Sequence, residues 1–102
     1  MEIITVPYNN MNKIKTKYFC PCCGYNSLDE EPTGTYQICE ICFWEDDPIQ
    51  FDDWNYEGGA NKVSLIQGQK NFEKFGAVEK RFIPHTKQPT KKDYVRNINW
   101  KK

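Results

Sequence analysis

Between Ser64 and Gly76 the hydrophobic positions recur at helical spacing. Leu65, Ile66, Phe72 and Phe75 fall on one broad face of residues 64–75, with polar side chains opposite. Ser64 and Gln67 have the spacing of a capping box, in which each side chain satisfies a backbone donor at the helix start. Gly76 stands where a C′ residue belongs. Gly68 weakens the helix interior by about 1 kcal/mol, a cost that close packing against a neighbour would justify. The apolar face is expected to be core rather than a ligand groove.

The rest of the pattern is less regular. "IITV" at 3–6 has strand character and is stopped by Pro7. "SLDEEPTGTY" reads as a loop punctuated by Pro32 and Gly34. "TYQIC" at 35–39 alternates as a strand would. Residues 45–60 look irregular but ordered, because Phe51, Trp54 and Tyr56 need burial. Residues 77–90 contain Pro84 and Pro89 and are expected to run extended over the surface. Residues 91–100 suggest a short helix with Tyr94, Val95 and Ile98 inward. Met11 is an alternative start to Met1. The two cysteine pairs are the sole internal repeat in the sequence.

The composition makes this pattern fragile. The chain has 102 residues, of which 38% are hydrophobic and 15% aromatic. One domain is expected over 1–102, resting on a few large rings and in need of a further staple. It divides into a cysteine metal module at 18–44, an acidic aromatic loop at 45–60, the helix at 64–76 and an extended basic segment at 77–102. The start carries neither a basic region nor an apolar core of a signal peptide, and no apolar run reaches membrane-spanning length. A cytoplasmic protein is expected. Thiols stay reduced there, so clustered cysteines suggest metal or redox chemistry before disulfides.

All five cysteines lie within residues 20–42. Cys20 and Cys23 form one C-x2-C and Cys39 and Cys42 a second, with 15 residues between the pairs. That spacing suits a four-thiolate metal site. Each C-x2-C turn aims two sulfurs at one ion, and two such knuckles complete a tetrahedron. Gly24 follows the first pair, where a positive φ is often needed, and Pro21 pre-sets the turn. Phe43 takes the place of that glycine in the second pair, which is either looser or packed by the ring. Four thiolates suit Zn2+, or alternatively a single Fe, which would make an electron-transfer protein. With four protein ligands no position is open to substrate, which favours a structural role. Cys22 is the fifth cysteine. Its plainest reading is a partly exposed free thiol. A ligand swap with Cys23 and a redox-sensitive thiol are the alternatives.

Charge is zero overall but bipolar along the chain. Residues 45–60 carry six acids and no base, whereas residues 61–102 carry eleven bases and three acids. Asp46, Asp47, Asp52 and Asp53, with Trp54, are candidates for docking a basic partner. The plainer account is a solvated loop in which one or two aspartates cap turns. The spacing does not fit an EF-hand. Lys91, Lys92, Arg96, Lys101 and Lys102, with Tyr94 and Trp100, could contact nucleic acid, or simply solubilise the C-terminus. His85 stands alone. Without a Ser-His-Asp set, a phosphate loop or a second histidine, an enzyme is not expected.

The blocks "FCPCCGY", "TYQICEICFWEDD", "GGANKVSL", "NFEKFGA" and "RF" resemble the bacterial cysteine-rich CPCC family over about Tyr18 to Phe82. The resemblance implies a zinc-ribbon or rubredoxin-like cysteine module joined to a short helix. It also implies a loose association with bacterial toxin or defence systems, and it gives Cys22 more weight. The expected fold is a small α+β domain, with a short hairpin and two knuckles packed on one main helix. The expected function is a zinc-binding protein-interaction module, an immunity- or defence-associated partner of a basic bacterial protein. A nucleic-acid-binding zinc ribbon and a rubredoxin-like iron protein are the alternatives. The partner and oligomeric state are left open.

Overall fold

A computed structural model describes residues 17–100. The strand expected at 3–6, Met11, Lys101 and Lys102 lie outside the described residues. Among those residues the elements are two α-helices, α1 (Pro48–Asp52) and α2 (Leu65–Phe75), and a 3-10 helix (Lys80–His85). No helix in this span is long and apolar enough to cross a membrane.

The helical half of the expectation holds. Ser64 caps α2, its hydroxyl accepting the Gln67 amide at 3.1 Å. The reciprocal half of the box does not form, because the Gln67 side chain donates to Asn71 Oδ1 instead. Gly76 ends the helix in the left-handed region. The inner face is tighter than the apolar pattern suggests: Leu65, Gly68 and Gln69 are buried, while Ile66, Phe72 and Phe75 are half-buried. A Cβ at position 68 would lie 3.0 Å from Val78 Cγ2 and 3.2 Å from Cys22 Sγ. Gly68 therefore lets α2 settle directly on the cysteine module.

The strand half is reduced. Extended segments meet at three isolated antiparallel bridges, Tyr18↔Leu28, Tyr25↔Arg96 and Ile38↔Glu45. The first and third each bring together the two ends of a cysteine turn. Residues 35–39 do not form the expected strand, because Tyr36 adopts φ +62° and breaks the extended path.

Three further expectations are corrected. The loop at 45–60 contains α1, started by Asp47, whose carboxylate accepts the Ile49 and Gln50 amides at 2.7 and 3.1 Å. Pro48 follows at the first turn, where its missing N–H costs nothing. Residues 80–85 wind into a 3-10 helix with Pro84 inside it, and the Phe82 ring packs against Phe43 at 4.6 Å. Residues 91–100 are not a helix, because their polar groups pair with another part of the chain. The Asn97 amide donates to Gly24 O and the Val95 amide to Asn26 Oδ1. Val95 and Ile98 are exposed rather than inward, Ile98 at 84%.

The core is built on the cysteines. Cys20, Cys22, Cys23, Cys39 and Cys42 cluster with Leu28, Ile41, Trp44, Leu65 and Val78, all buried. Beside it a polar residue does the work of an apolar one. Buried Gln50 donates to the carbonyls of Tyr56, Asn61 and Val63 and accepts from the Asn61 amide and side chain. Five bonds from one side chain hold a loop that has few apolar groups to bury. Trp54 packs against the core, while Tyr56 remains 42% exposed.

Candidate metal centre

The two C-x2-C turns have the same backbone. In the first, the Gly24 amide donates to Cys20 O at 2.8 Å and the Cys20 amide to Tyr25 O at 2.9 Å. In the second, the Phe43 amide donates to Cys39 O at 2.8 Å and the Cys39 amide to Trp44 O at 2.9 Å. The first sulfur of each turn accepts an amide from two residues on: Cys22 N reaches Cys20 Sγ at 3.4 Å and Ile41 N reaches Cys39 Sγ at 3.3 Å. Gly24 has φ +83° and Phe43 φ +73°. The knuckle geometry thus demands a left-handed residue at this place, and the second knuckle meets the demand without glycine.

Facing each other, the knuckles bring the side chains of Cys20, Cys23, Cys39 and Cys42 together. All four sulfurs lie within 4.8 Å of one another and all four residues are buried. Cys20 Sγ lies 3.7 Å from Cys42 Sγ, and Cys23 Sγ lies 3.7 Å from Cys39 Sγ. A Zn–S distance of about 2.3 Å sets the edge of a regular tetrahedron at about 3.8 Å. The donor set and its spacing therefore fit a tetrahedral thiolate-bound ion.

Electrostatics point the same way. Burial pushes the Cys20, Cys23 and Cys42 thiols well above their ordinary range. Burial opposes ionisation of Cys39 too, but hydrogen bonds from Cys20, Cys23, Cys42 and Ser27 outweigh it and hold that thiol well below its ordinary range. The Ser27 hydroxyl sits 2.8 Å from Cys39 Sγ. Four sulfurs crowded in a dry core cannot all ionise unless a cation shares the site.

Residues 18–93 match the sequence pattern of cysteine-rich CPCC proteins. The chain belongs to the cysteine-rich CPCC family. No curated protein matches it. The CPCC motif itself is Cys20–Cys23, so the family's name spans the whole first knuckle.

The four expected ligand positions of the CPCC chain are brought together. The fifth cysteine departs from its plainest reading: Cys22 is fully buried, not partly exposed. It occupies in the first knuckle the place that Ile41 fills in the second, and both side chains point into the core cluster. In the CPCC motif Cys22 therefore acts as a small apolar residue beneath Gly68 of α2.

The docking candidates separate into two groups. Asp46 and Asp47 are buried and occupied, which removes them from any docking surface. Asp46 Oδ2 accepts the Gly34 and Thr35 amides and the Thr35 hydroxyl at 2.8–2.9 Å. Asp47 caps α1 and also accepts the Ala60 amide at 2.7 Å. Burial works against its charge, but the amides of Ala60, Gln50 and Ile49 outweigh it and lower its pKa. Asp52 and Asp53 are exposed, and Trp54 is half-buried. The basic tail is likewise divided. Lys91 and Lys92 are exposed, whereas Arg96 and Trp100 are turned onto the first knuckle, where both donate to its carbonyls. His85 is exposed, with its ring 5.5 Å from that of Phe43.

Ser27, Gln69, Arg96 and Trp100 were not assigned to the site from the sequence. Ser27 is separated from Cys39 by 12 residues, Gln69 from Pro21 by 48, and Arg96 and Trp100 from the carbonyls they reach by more than 70, so no local spacing marks them.

Proposed function

We propose that this CPCC protein is a zinc-stabilised protein-interaction module. Zn2+ would be held by Cys20, Cys23, Cys39 and Cys42. The observation that carries the reading is the closed, fully buried cluster of four sulfurs. A tetrahedron completed by protein ligands offers a substrate no coordination position, and so supports a structural rather than catalytic ion. Bound zinc would supply the cohesion that a core of so few apolar residues lacks. Fe is the competing ion for the same donor set.

The face open to a partner is the exposed flank around α1: Ile49, Asp52, Asp53 and Tyr56. An apolar side chain and an aromatic ring beside exposed carboxylates that form no ion pair among the described residues favour a basic protein partner. Nucleic acid is the less favoured partner. Arg96 and Trp100, two of the tail residues suited to it, are engaged within the chain.

Metal content and the visible spectrum of untagged protein from iron-supplemented cells test the first half. One zinc per chain without colour is expected. One iron with thiolate charge-transfer bands would replace the reading with an electron-transfer protein. Charge reversal at Asp52 and Asp53 tests the second half: folding should survive and capture of a basic partner should fail. Capture that persists through the reversal sinks the docking face.

A further inference from the structure

The first knuckle is held by more than its own turn. Cys20 O and Tyr25 O are satisfied within it. The four carbonyls between them accept donors from outside. Gln69 Nε2 of α2 donates to Pro21 O at 2.8 Å. Trp100 Nε1 donates to Cys22 O at 3.0 Å, Arg96 Nε to Cys23 O at 2.9 Å and the Asn97 amide to Gly24 O at 2.8 Å. Three consecutive carbonyls are thus taken by one short segment near the C-terminus. Residues 94–100 lie beyond the stretch 18–93 that carries the family match.

That segment is itself fastened. The Arg96 guanidinium stacks 3.9 Å from the Trp100 ring and lies 5.0 and 5.5 Å from those of Tyr25 and Phe72. Its other arm pairs with Glu73 of α2 at 3.1 Å. The Trp100 indole lies against Gly24, where a Cβ would come within 2.7 Å of Cδ2. Tyr94 hydrogen-bonds Glu40 in the second knuckle. One strap therefore touches both halves of the centre and the helix beneath it.

We propose that residues 94–100 form a latch on the first knuckle, and that Arg96 and Trp100 set how slowly the centre gives up its metal. The inference rests on the metal reading above. Releasing Cys20 or Cys23 from an ion requires the knuckle backbone to open. While the latch is seated, opening must also break its bonds to Cys22 O, Cys23 O and Gly24 O. Groups that orient ligand-bearing backbone without touching the ion act on metal retention in this way. Arg96 and Trp100 are positioning residues, with no direct bond to the metal.

The test uses the full zinc-loaded chain and the chelator 4-(2-pyridylazo)resorcinol in excess, with the rate of zinc transfer as the readout. Trp100→Ala and Arg96→Ala should each bind one zinc and release it about 10–100-fold faster than the wild type. Arg81→Ala removes a comparable arginine, which sits 4.3 Å over Phe82, and should release zinc at the wild-type rate. Trp100→Phe keeps a ring on Gly24 but deletes the N–H, and Arg96→Lys keeps the charge but loses the planar stack. These milder variants should fall between the extremes and decide the matter if the alanine variants do not fold. Wild-type release rates in loaded Trp100→Phe and Arg96→Lys overturn the latch and leave the metal centre standing. A wild-type chain that takes up no zinc overturns the metal centre and the latch with it.

Discussion

The two knuckles share one backbone and are stabilised differently. The first uses glycine at its left-handed position, and its outward carbonyls are claimed by α2 and the C-terminal segment. The second places Phe43 there at φ +73°, and the ring packs against Phe82 at 4.6 Å and His85 at 5.5 Å. Its backbone also accepts the Val78 amide, on Cys42 O at 2.8 Å. A left-handed non-glycine residue costs about 1–2 kcal/mol. A half-buried aromatic contact is large enough to offset that. The same turn is thus reached by relieving backbone strain on one side and by compensating it with packing on the other.

The strongest way to break the comparison is to remove what joins its two halves. Chelation, or Cys39→Ser, should separate the knuckles and unfold the module, since zinc contributes about 10–16 kcal/mol in small zinc-dependent folds. Loss of dispersed amide resonances on adding a chelator would show it. An unchanged spectrum after complete metal removal would contradict it. Acid should act in the same direction. Burial raises the Cys20, Cys23 and Cys42 thiols, so protons compete with the ion, and retention must weaken as pH falls and strengthen as it rises. Metal content after dialysis at a series of pH values checks the sign.

The equivalent buried positions give the next contrast. Ile41→Ala deletes three carbons from the core and should cost about 2–4 kcal/mol. Cys22→Ala deletes one sulfur, should cost about 1–2 kcal/mol, and should leave one metal bound. Denaturant unfolding of the loaded proteins measures both. If Cys22→Ala alone lost the metal, Cys22 would be a ligand and its equivalence to Ile41 would fail.

The chain leaving the second knuckle is fixed by carboxylates. Asp47→Ala removes the cap of α1 and the acceptor for Ala60, at about 1–2 kcal/mol. Its lowered pKa means that the contribution is full at neutral pH and fades only as pH falls through the folded value. Asp47→Asn should therefore be milder at neutral pH than Asp47→Ala, because it keeps one acceptor oxygen. Thermal unfolding at fixed zinc resolves the order.

The cluster of four cysteines was legible because C-x2-C spacing is local and thiols are chemically distinctive. Helix α2 was legible because its cap, stripe and terminal glycine agree. The rest depended on partners far away in sequence. Residues 91–100 have some helical pattern, but their donors find the first knuckle instead of their own chain. Asp47 caps a turn, as the plainer reading of the acidic loop allowed, but that both Asp46 and Asp47 are buried depends on the amides of Gly34, Thr35 and Ala60, 11–13 residues away. Gln50 carries no sign in the sequence of its five bonds. Residues 35–39 have strand composition, but Tyr36 is left-handed, and the segment meets residues 44–46 at one isolated bridge rather than as a strand.

The finest test concerns the strain at Phe43. Phe43→Gly relieves about 1–2 kcal/mol of left-handed backbone cost and removes a ring contact of about the same size. The change should therefore be close to neutral, within about 1 kcal/mol. In a Phe82→Ala background the ring has already lost its main neighbour, so the same substitution should become stabilising. The sign of that difference isolates the compensation, because the two residues are in contact and their effects need not add. A double-mutant cycle on the zinc-loaded protein measures it. If Phe43→Gly cost the same in both backgrounds, the ring contact with Phe82 would not be what offsets the strain.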